Sequence, residues 1–476
     1  MSVAIEPRRV RQFRFVDARW QDGQATLRYA VDALELTETI DFPGAPTLSP
    51  ARQAAFDRAL AMLHWLAGTS YYKAVAGAGP SIVFEQRSPE ADEQTLVDAV
   101  YRHGLAEFAH VNGLDLDSLL HWPDVAVGVP SLVAGQGTAE SKDGGQSPIE
   151  SSYAAKPLGL PRRALLPLGG GKDSLVSADL LLQRDEHFAL TWVGSSELIA
   201  QCAARISRPS LNIRRRIAPE LIELNRLGAW NGHVPVTAIN SAILVLAALL
   251  YGFDEIVFSN EASAGVPTLI EADGRPVNHQ WSKGPAFEQA FAAWIRQRVA
   301  ADLHYYSLLR PLSELAVTRR FARLERYFDE FSSCNRNFRL SGDRPQSRWC
   351  GECPKCHFVF LALAPFLAKP ALTRIFGRNL LDDPAQIGGF EALLEWQAHK
   401  PFECVGEARE SRAAMARLAD RADWREDVVV AHARRHILPQ LPLADLALAP
   451  LLEPGDDAGL PERLRGAWLE PEATAR

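Results

Sequence analysis

The stretch that most constrains this chain is ALLPLGGGKDSLVSADLLL, residues 164–182. Ala164 to Leu168 is an apolar run that reads as a buried strand, and a helix-competent apolar segment starts at Leu175. Between them stand Gly169, Gly170, Gly171, Lys172, Asp173 and Ser174. A strand, a glycine turn and a helix start form a backbone cradle for phosphate. Glycine admits close approach of the ligand, and free N–H groups at a helix N-terminus face the anion. Without a ligand, the same residues describe a glycine turn capped by Asp173 or Ser174.

Two common phosphate loops do not fit. A Walker A loop needs G-x-x-x-x-G-K-[ST], but Gly171-Lys172 is followed by Asp173 and the leading glycine position is Leu166. A dinucleotide G-x-G-x-x-G starting at Gly169 would end on Ser174. The segment resembles instead the S-G-G-x-D-S loop of the PP-loop ATP pyrophosphatases. Gly169 replaces the usual Ser, so one hydroxyl contact to phosphate is missing. That resemblance implies an enzyme that splits ATP between its α and β phosphates and leaves AMP on a substrate oxygen.

The chain has 476 residues, enough for two or three domains, and its 47% hydrophobic and 23% charged content reads as globular. With 51 Lys+Arg against 58 Asp+Glu, the net charge of −7 lacks the basic footprint of a nucleic-acid binder. No nucleic-acid partner is expected. The start, MSVAIEPRRVRQFRF, has no apolar core of a signal peptide. The longest apolar stretch, Ala238 to Tyr251, is too short for a membrane span and is broken by Asn240 and Ser241. A soluble cytoplasmic protein is expected.

Residues 1–134 read as an N-terminal α+β domain, with a hairpin signal at Gln21-Asp22-Gly23 and a helical pattern from Ser49 to Gly68. Residues 135–160 read as a flexible linker. Residues 161–370 alternate strand (164–168, 188–193, 211–217, 255–259) and helix (173–184, 196–205, 218–227, 236–252). This α/β alternation predicts a doubly wound parallel sheet with ligands at the carboxyl ends of its strands. Asn260 and Glu261 fall on that edge; the alternative there is a turn with an Asx hydrogen bond. Residues 371–476 read as a helical C-terminal region.

Three of the six cysteines, Cys350, Cys353 and Cys356, follow C-x-x-C-x-x-C spacing, and Cys334 lies upstream. Four thiolates so spaced can surround a tetrahedral Zn²⁺, and structural zinc is expected. An iron–sulfur cluster or a set of reduced, partly buried thiols are the alternatives. His357 could replace Cys334, but it stands awkwardly beside Cys356. The pattern resembles the zinc site of the 7-cyano-7-deazaguanine synthases, another PP-loop family.

Six segments together resemble one family, the ATP-dependent UDP-N-acetyl-muramoyl-L-alanyl-L-glutamate epimerases. They are PLGGGKDS (167–174), NGHVPVTAINSA (231–242), SNEAS (259–263), NHQWSKG (278–284), CGECPKCHFVFLALAPF (350–366) and KPFECVG (400–406). The resemblance implies conversion of UDP-MurNAc-L-Ala-L-Glu to its D-Glu epimer, with ATP cleaved to AMP and diphosphate in the presence of Mg²⁺. The chemistry is coherent. An α-proton beside a carboxylate is too weakly acidic to remove, and adenylating that carboxylate neutralises it. Such a site needs phosphate binders, a metal and an acid/base pair.

The resemblance then assigns ATP to the Gly169–Gly171 backbone with Lys172, Ser174, Asn260 and Glu261. Asp173 is a candidate Mg²⁺ ligand or helix cap, with Glu261 as a possible second ligand. Cys404 is a candidate acid/base by analogy with two-thiol glutamate racemases, and His279 and Lys283 compete with it. Cys404 as a small buried hydrophobe and His279 as a satisfied loop residue are the bland readings. His233 and Lys400 are candidate substrate contacts. Arg214, Arg215 and Arg216 could meet the sugar's phosphates, but a solvated charge run is favoured. Another PP-loop enzyme (an amide- or nitrile-forming ligase, or a tRNA-thiolating transferase) and a non-catalytic nucleotide-binding module are the competing functions.

Overall fold

The computed structural model describes residues 5–123, 155–338, 345–397 and 399–469. Its first fixed point is the turn at Asp22-Gly23. Both residues have positive φ, 49° and 79°, the geometry whose twist suits a two-residue hairpin. It joins β1 (Gln12–Gln21) to β2 (Gln24–Val31), as the sequence predicts. β3 (Leu34–Asp41) adds antiparallel to β2, and β4 (Ser81–Phe84) pairs parallel with β1. Phe13 and Phe15, two apart on β1, are both buried, as strand alternation requires. The helix Pro50–Ala67 packs on this sheet. Ser49 caps it by accepting the Arg52 N–H (3.4 Å), and Pro50 takes the first position, where no N–H is needed.

The second group of strands comprises β5 (Ala164–Pro167), β6 (Phe188–Val193), β7 (Ser210–Arg216) and β8 (Glu255–Phe258). After a small ribbon, β9 (Leu269–Ile270) with β10 (Pro276–Val277), comes β11 (His304–Ser307). β11, β8, β5, β6 and β7 run parallel in that order. Four of these strands stand where the sequence places them, and β11 is an addition. The helices Lys172–Gln183, Glu197–Ile206, Glu220–Arg226 and Val236–Tyr251 match the four expected. The last is apolar nearly all round and is buried against the Pro50–Ala67 helix.

The two groups form one sheet. β3 pairs antiparallel with β7, giving the nine-stranded order β11-β8-β5-β6-β7-β3-β2-β1-β4. The architecture is α/β with a large, mostly parallel sheet. One continuous core holds Phe56 and Leu63 together with Leu244 and Ile256. Arg215 locks the seam: its Nε donates to the buried Glu38 carboxylate (2.6 Å), which also accepts from Tyr71 (2.7 Å). Arg214 and Arg216 are exposed, as a solvated charge run would be. A second core, around Phe360, Leu418 and Trp424, gathers the helices after the cysteine segment. The linker expected at 135–160 lies outside the described residues as far as residue 154. No described helix is long and apolar enough to cross a membrane.

This strand order creates a switch point. From β5 the chain moves outward to β6 and β7 on one side, while β8 and β11 lie on the other. Loops after β5 and β8 therefore part, and a crevice opens at the carboxyl ends of the strands.

Candidate active site

The glycine loop leaves β5 at this crevice. Gly170 has φ +78°, a conformation that a side chain would strain. A Cβ on Gly169 would meet nothing within 4 Å, so that position faces open space. Gly171 caps the Lys172–Gln183 helix, whose first N–H groups are thereby directed at the loop. The chain at Ser332 braces the loop from behind, its N–H donating to the Gly170 carbonyl (2.9 Å). Ser174 is buried, with its hydroxyl 3.4 Å from the Gly171 carbonyl.

Lys172 turns inward instead of toward the open loop. Its buried ammonium donates to the carboxylates of Asp173 and Glu314. Glu314 opens the helix Glu314–Phe321 that follows β11, capped by Ser313 (3.0 Å to the Ala316 N–H). Asp173, Glu261 and Glu314 place one oxygen each within 4.8 Å of one another. Burial pushes the Glu261 carboxyl up to about 8, helped by the charges of Glu314 and Asp173. For Asp173 burial acts in the same direction, but Lys172 and Lys355 outweigh it and hold the group below the usual range. Three carboxylates so close repel unless cations share the space. Lysines 172, 283 and 355 supply part of that charge, and the oxygen set is one that a hard divalent cation accepts. Asn260 is buried beside them but is used structurally, donating to Ser307 (3.0 Å) and tying β8 to β11.

Cys404 comes to this crevice on the 400–406 loop. Lys283 Nζ donates to its Sγ at 3.3 Å and to Gln280 Oε1 at 3.3 Å. His279 is a second cationic neighbour that favours the thiolate. Burial would raise the thiol, yet Lys283, His279 and Lys355 together bring it down to about 5. Burial would lower His279, but Cys404 and Glu107 raise it to about 9. The two groups thus favour a thiolate–imidazolium pair. Glu107, on the short helix Ala106–Asn112, accepts from His279 Nδ1 and lies 3.8 Å from His233 Nδ1. The two imidazoles stand 4.4 Å apart, and burial with the His279 charge drives His233 down to about 3.

Arg310 braces both loops, donating to the carbonyls of Glu261 (2.7 Å) and Lys283 (2.6 Å) and to Glu288. Lys400 is buried, but its charged neighbours are Glu395, Glu407 and Glu410, not the group around Cys404. The sequence reading therefore finds Cys404, His279, Lys283, Asp173 and Glu261 converging, with His233 beside them. It misses Glu107, Glu314, Lys355 and Arg310.

Cys334, Cys350, Cys353 and Cys356 also come together, with sulfurs 4.0, 3.7 and 3.5 Å apart in the pairs 334–353, 350–356 and 353–356. Tetrahedral Zn–S bonds of about 2.3 Å set sulfurs about 3.8 Å apart. Disulfide bonding would need about 2.05 Å. The Cys353 N–H donates to Cys350 Sγ (3.3 Å), the kind of bond that supports a thiolate. His357 turns away to Gln386 (2.6 Å) and takes no place among the sulfurs.

Comparison with known proteins covers most of the chain. Residues 4–308 match the family described as the MurL N-terminal domain, and residues 330–447 match the MurL C-terminal domain. A protein of Xanthomonas oryzae pv. oryzae named UDP-N-acetyl-alpha-D-muramoyl-L-alanyl-L-glutamate epimerase is 54% identical over 94% of this chain and 95% of its own length. Proteins of the same name from Salinispora tropica and a Micromonospora species are 40% and 39% identical. They cover 94% and 92% of this chain and 94% and 93% of their own lengths.

Proposed function

This chain belongs to the MurL family of epimerases, and on that premise we propose that it inverts the terminal L-Glu of UDP-MurNAc-L-Ala-L-Glu at the cost of ATP cleaved to AMP and diphosphate. The product would be a D-Glu precursor for peptidoglycan. One observation carries the reading: the Cys404 thiol, flanked by Lys283 and His279, lies in the same charge cluster as the carboxylates at the glycine loop.

In this reading the Gly169–Gly171 backbone and the helix N-terminus receive the phosphates. Gly169, without a side chain, leaves room for them. Ser174 and Lys172 lie in the same turn, Lys172 acting through its carboxylate partners. Asp173, Glu261 and Glu314 would hold Mg²⁺, which when bound offsets phosphate charge. The substrate carboxylate attacks the α-phosphorus and diphosphate leaves. The resulting acyl-adenylate carries no carboxylate charge, so its α-proton is acidic enough to move. Cys404, as thiolate, takes that proton: the C–H bond breaks, an S–H bond forms and the electron pair passes to the enolate. A proton delivered from solvent or a second acid to the opposite face completes the inversion, while His279 and Lys283, the charged groups beside Cys404, stabilise its thiolate and help return its proton to solvent. Water then releases AMP and the D-glutamyl carboxylate. His233, beside the pair, is proposed to contact the substrate; Lys400, buried among Glu395, Glu407 and Glu410, is not. The cysteine tetrad is proposed to hold structural Zn²⁺.

The test is incubation of the protein with ATP, Mg²⁺ and UDP-MurNAc-L-Ala-L-Glu in D₂O. AMP together with α-deuterated D-glutamate is expected. AMP without inversion would overturn the epimerase assignment for this substrate and point to a different acceptor.

A further inference from the structure

We propose that Glu107 is a positioning residue for the epimerisation, orienting His279 so that its imidazole and the Cys404 thiol act as one unit. The inference rests on the reading of Cys404 as the base and extends it to a residue of the N-terminal part of the chain.

Geometry supports it. Glu107 accepts from His279 Nδ1, and the charge of the same ring acts with Lys283, whose Nζ lies 3.3 Å from the Cys404 sulfur, to favour the thiolate. A carboxylate on one side of an imidazole fixes its tautomer and orientation and favours its charged form, as in acid–base triads. His233 cannot serve in place of His279. It lies farther from the same carboxylate, 3.8 Å, and no thiol partners it among the described residues.

Glu107 is itself held in place. Phe108 and Ala109 beside it are buried, and Gly113 ends the helix in the left-handed region with φ 64°. Asn112 Nδ2 donates to the Asn231 carbonyl (3.1 Å), and Lys73 Nζ donates to Asn231 Oδ1 (2.9 Å) and the Gly232 carbonyl (2.7 Å). This links the Glu107 helix to the loop that carries His233. The titratable groups around the pair are Lys73, Glu107, His233, Lys283, Lys355 and Glu403, of which His233 is neutral. Glu107 is the carboxylate among them that hydrogen-bonds to the His279 ring.

The experiment is the pH dependence of Cys404 alkylation by iodoacetamide, followed on the Cys404 peptide by mass spectrometry, in wild type, Glu107→Gln and Glu107→Asp. In Glu107→Gln the midpoint for alkylation is expected to rise by about one pH unit, a tenfold change in thiolate at a given pH below it. Turnover should fall at least about 10-fold with KM within about 3-fold, and Glu107→Asp should recover part of both. An unchanged alkylation midpoint in Glu107→Gln, with activity lost or kept, overturns the proposal. A Cys404→Ser arm separates the underlying reading. Solvent deuterium entering the α-carbon in that variant would remove Cys404 as the base, while the alkylation profile still reports the Glu107–His279–Cys404 contact.

Discussion

Lys355 donates its ammonium hydrogen bond to the carbonyl oxygen of Cys404. Lys355 lies on the helix Pro354–Leu363, which Cys353 caps and which contains Cys356, so the element at two sulfurs of the tetrad also holds the loop of the proposed base. The same ammonium lies 3.9 Å from Glu314, at the carboxylate cluster. On the other side of the tetrad, the Ser332–Cys334 segment holds the glycine loop through the Ser332–Gly170 bond. The cysteine cluster is thus a joint between the two halves of the site.

If the tetrad holds the proposed zinc, losing that metal should therefore cost catalysis and not stability alone. Cys356→Ser is expected to lose metal by elemental analysis and to lower turnover by about 100-fold, the scale on which a misplaced group acts. Lys355→Met should leave the cysteines intact and still lose about 10-fold, because the tether to Cys404 and the positive charge beside Asp173 and Glu314 are both removed. A Lys355→Met protein with wild-type turnover would show that the joint is not used.

The pH profile follows from the two groups on either side of the proposed proton transfer. Cys404 must be deprotonated to accept, and its thiol is held down to about 5. His279 must be protonated to keep that thiolate, and it is held up to about 9. The rate at limiting substrate is expected to rise through about pH 5, stay level, and fall through about pH 9. An acid limb near pH 8 to 9 would mean an ordinary thiol and would remove the assigned pair.

What was legible in the sequence was local. The glycine loop and the Cys350–Cys356 run are fixed by spacing within one turn, so the letters alone announce them. Glu107 could not be read this way. It reaches His279 across 172 residues, from a helix in a part of the chain read as a separate domain. Glu314 was hidden by the strand before it, since HYYS is four residues long and has no alternation to mark it. Lys172 reads as a phosphate contact in the sequence, where Glu314, the carboxylate its ammonium meets in the structure, is not in view. The seam between β3 and β7 was equally invisible. Its register depends on a buried ion pair between Glu38 and Arg215, and Arg215 sits in a run of arginines that reads as solvent-facing.

That seam gives a stability prediction independent of the chemistry. Glu38 is fully buried, and Arg215 Nε sits 2.6 Å from its carboxylate. Removing one partner of such a pair leaves a buried charge and costs about 3 kcal/mol or more. Arg215→Ala should lower the urea midpoint accordingly. Adding Glu38→Leu should recover part of the loss, because the stranded carboxylate is then gone. If the double variant is no more stable than Arg215→Ala, the cost comes from packing and not from the buried charge.

Glu314 offers the sharpest test of the carboxylate cluster. Its side chain touches Lys172 and shares oxygen-to-oxygen distances within 4.8 Å with Asp173 and Glu261. Glu314→Gln keeps the shape of the side chain and removes one negative charge. If the three carboxylates hold Mg²⁺ against the ATP phosphates, the variant should need more Mg²⁺ for half-maximal AMP release and release AMP at least about 10-fold more slowly. Alkylation of Cys404 should be little changed, since the cation hydrogen-bonded to its sulfur is Lys283, whereas Glu314 hydrogen-bonds to Lys172. If Glu314 serves only to neutralise Lys172, the Mg²⁺ requirement will stay at the wild-type value while stability falls. Measuring both on one preparation decides between a metal ligand and a structural counter-ion.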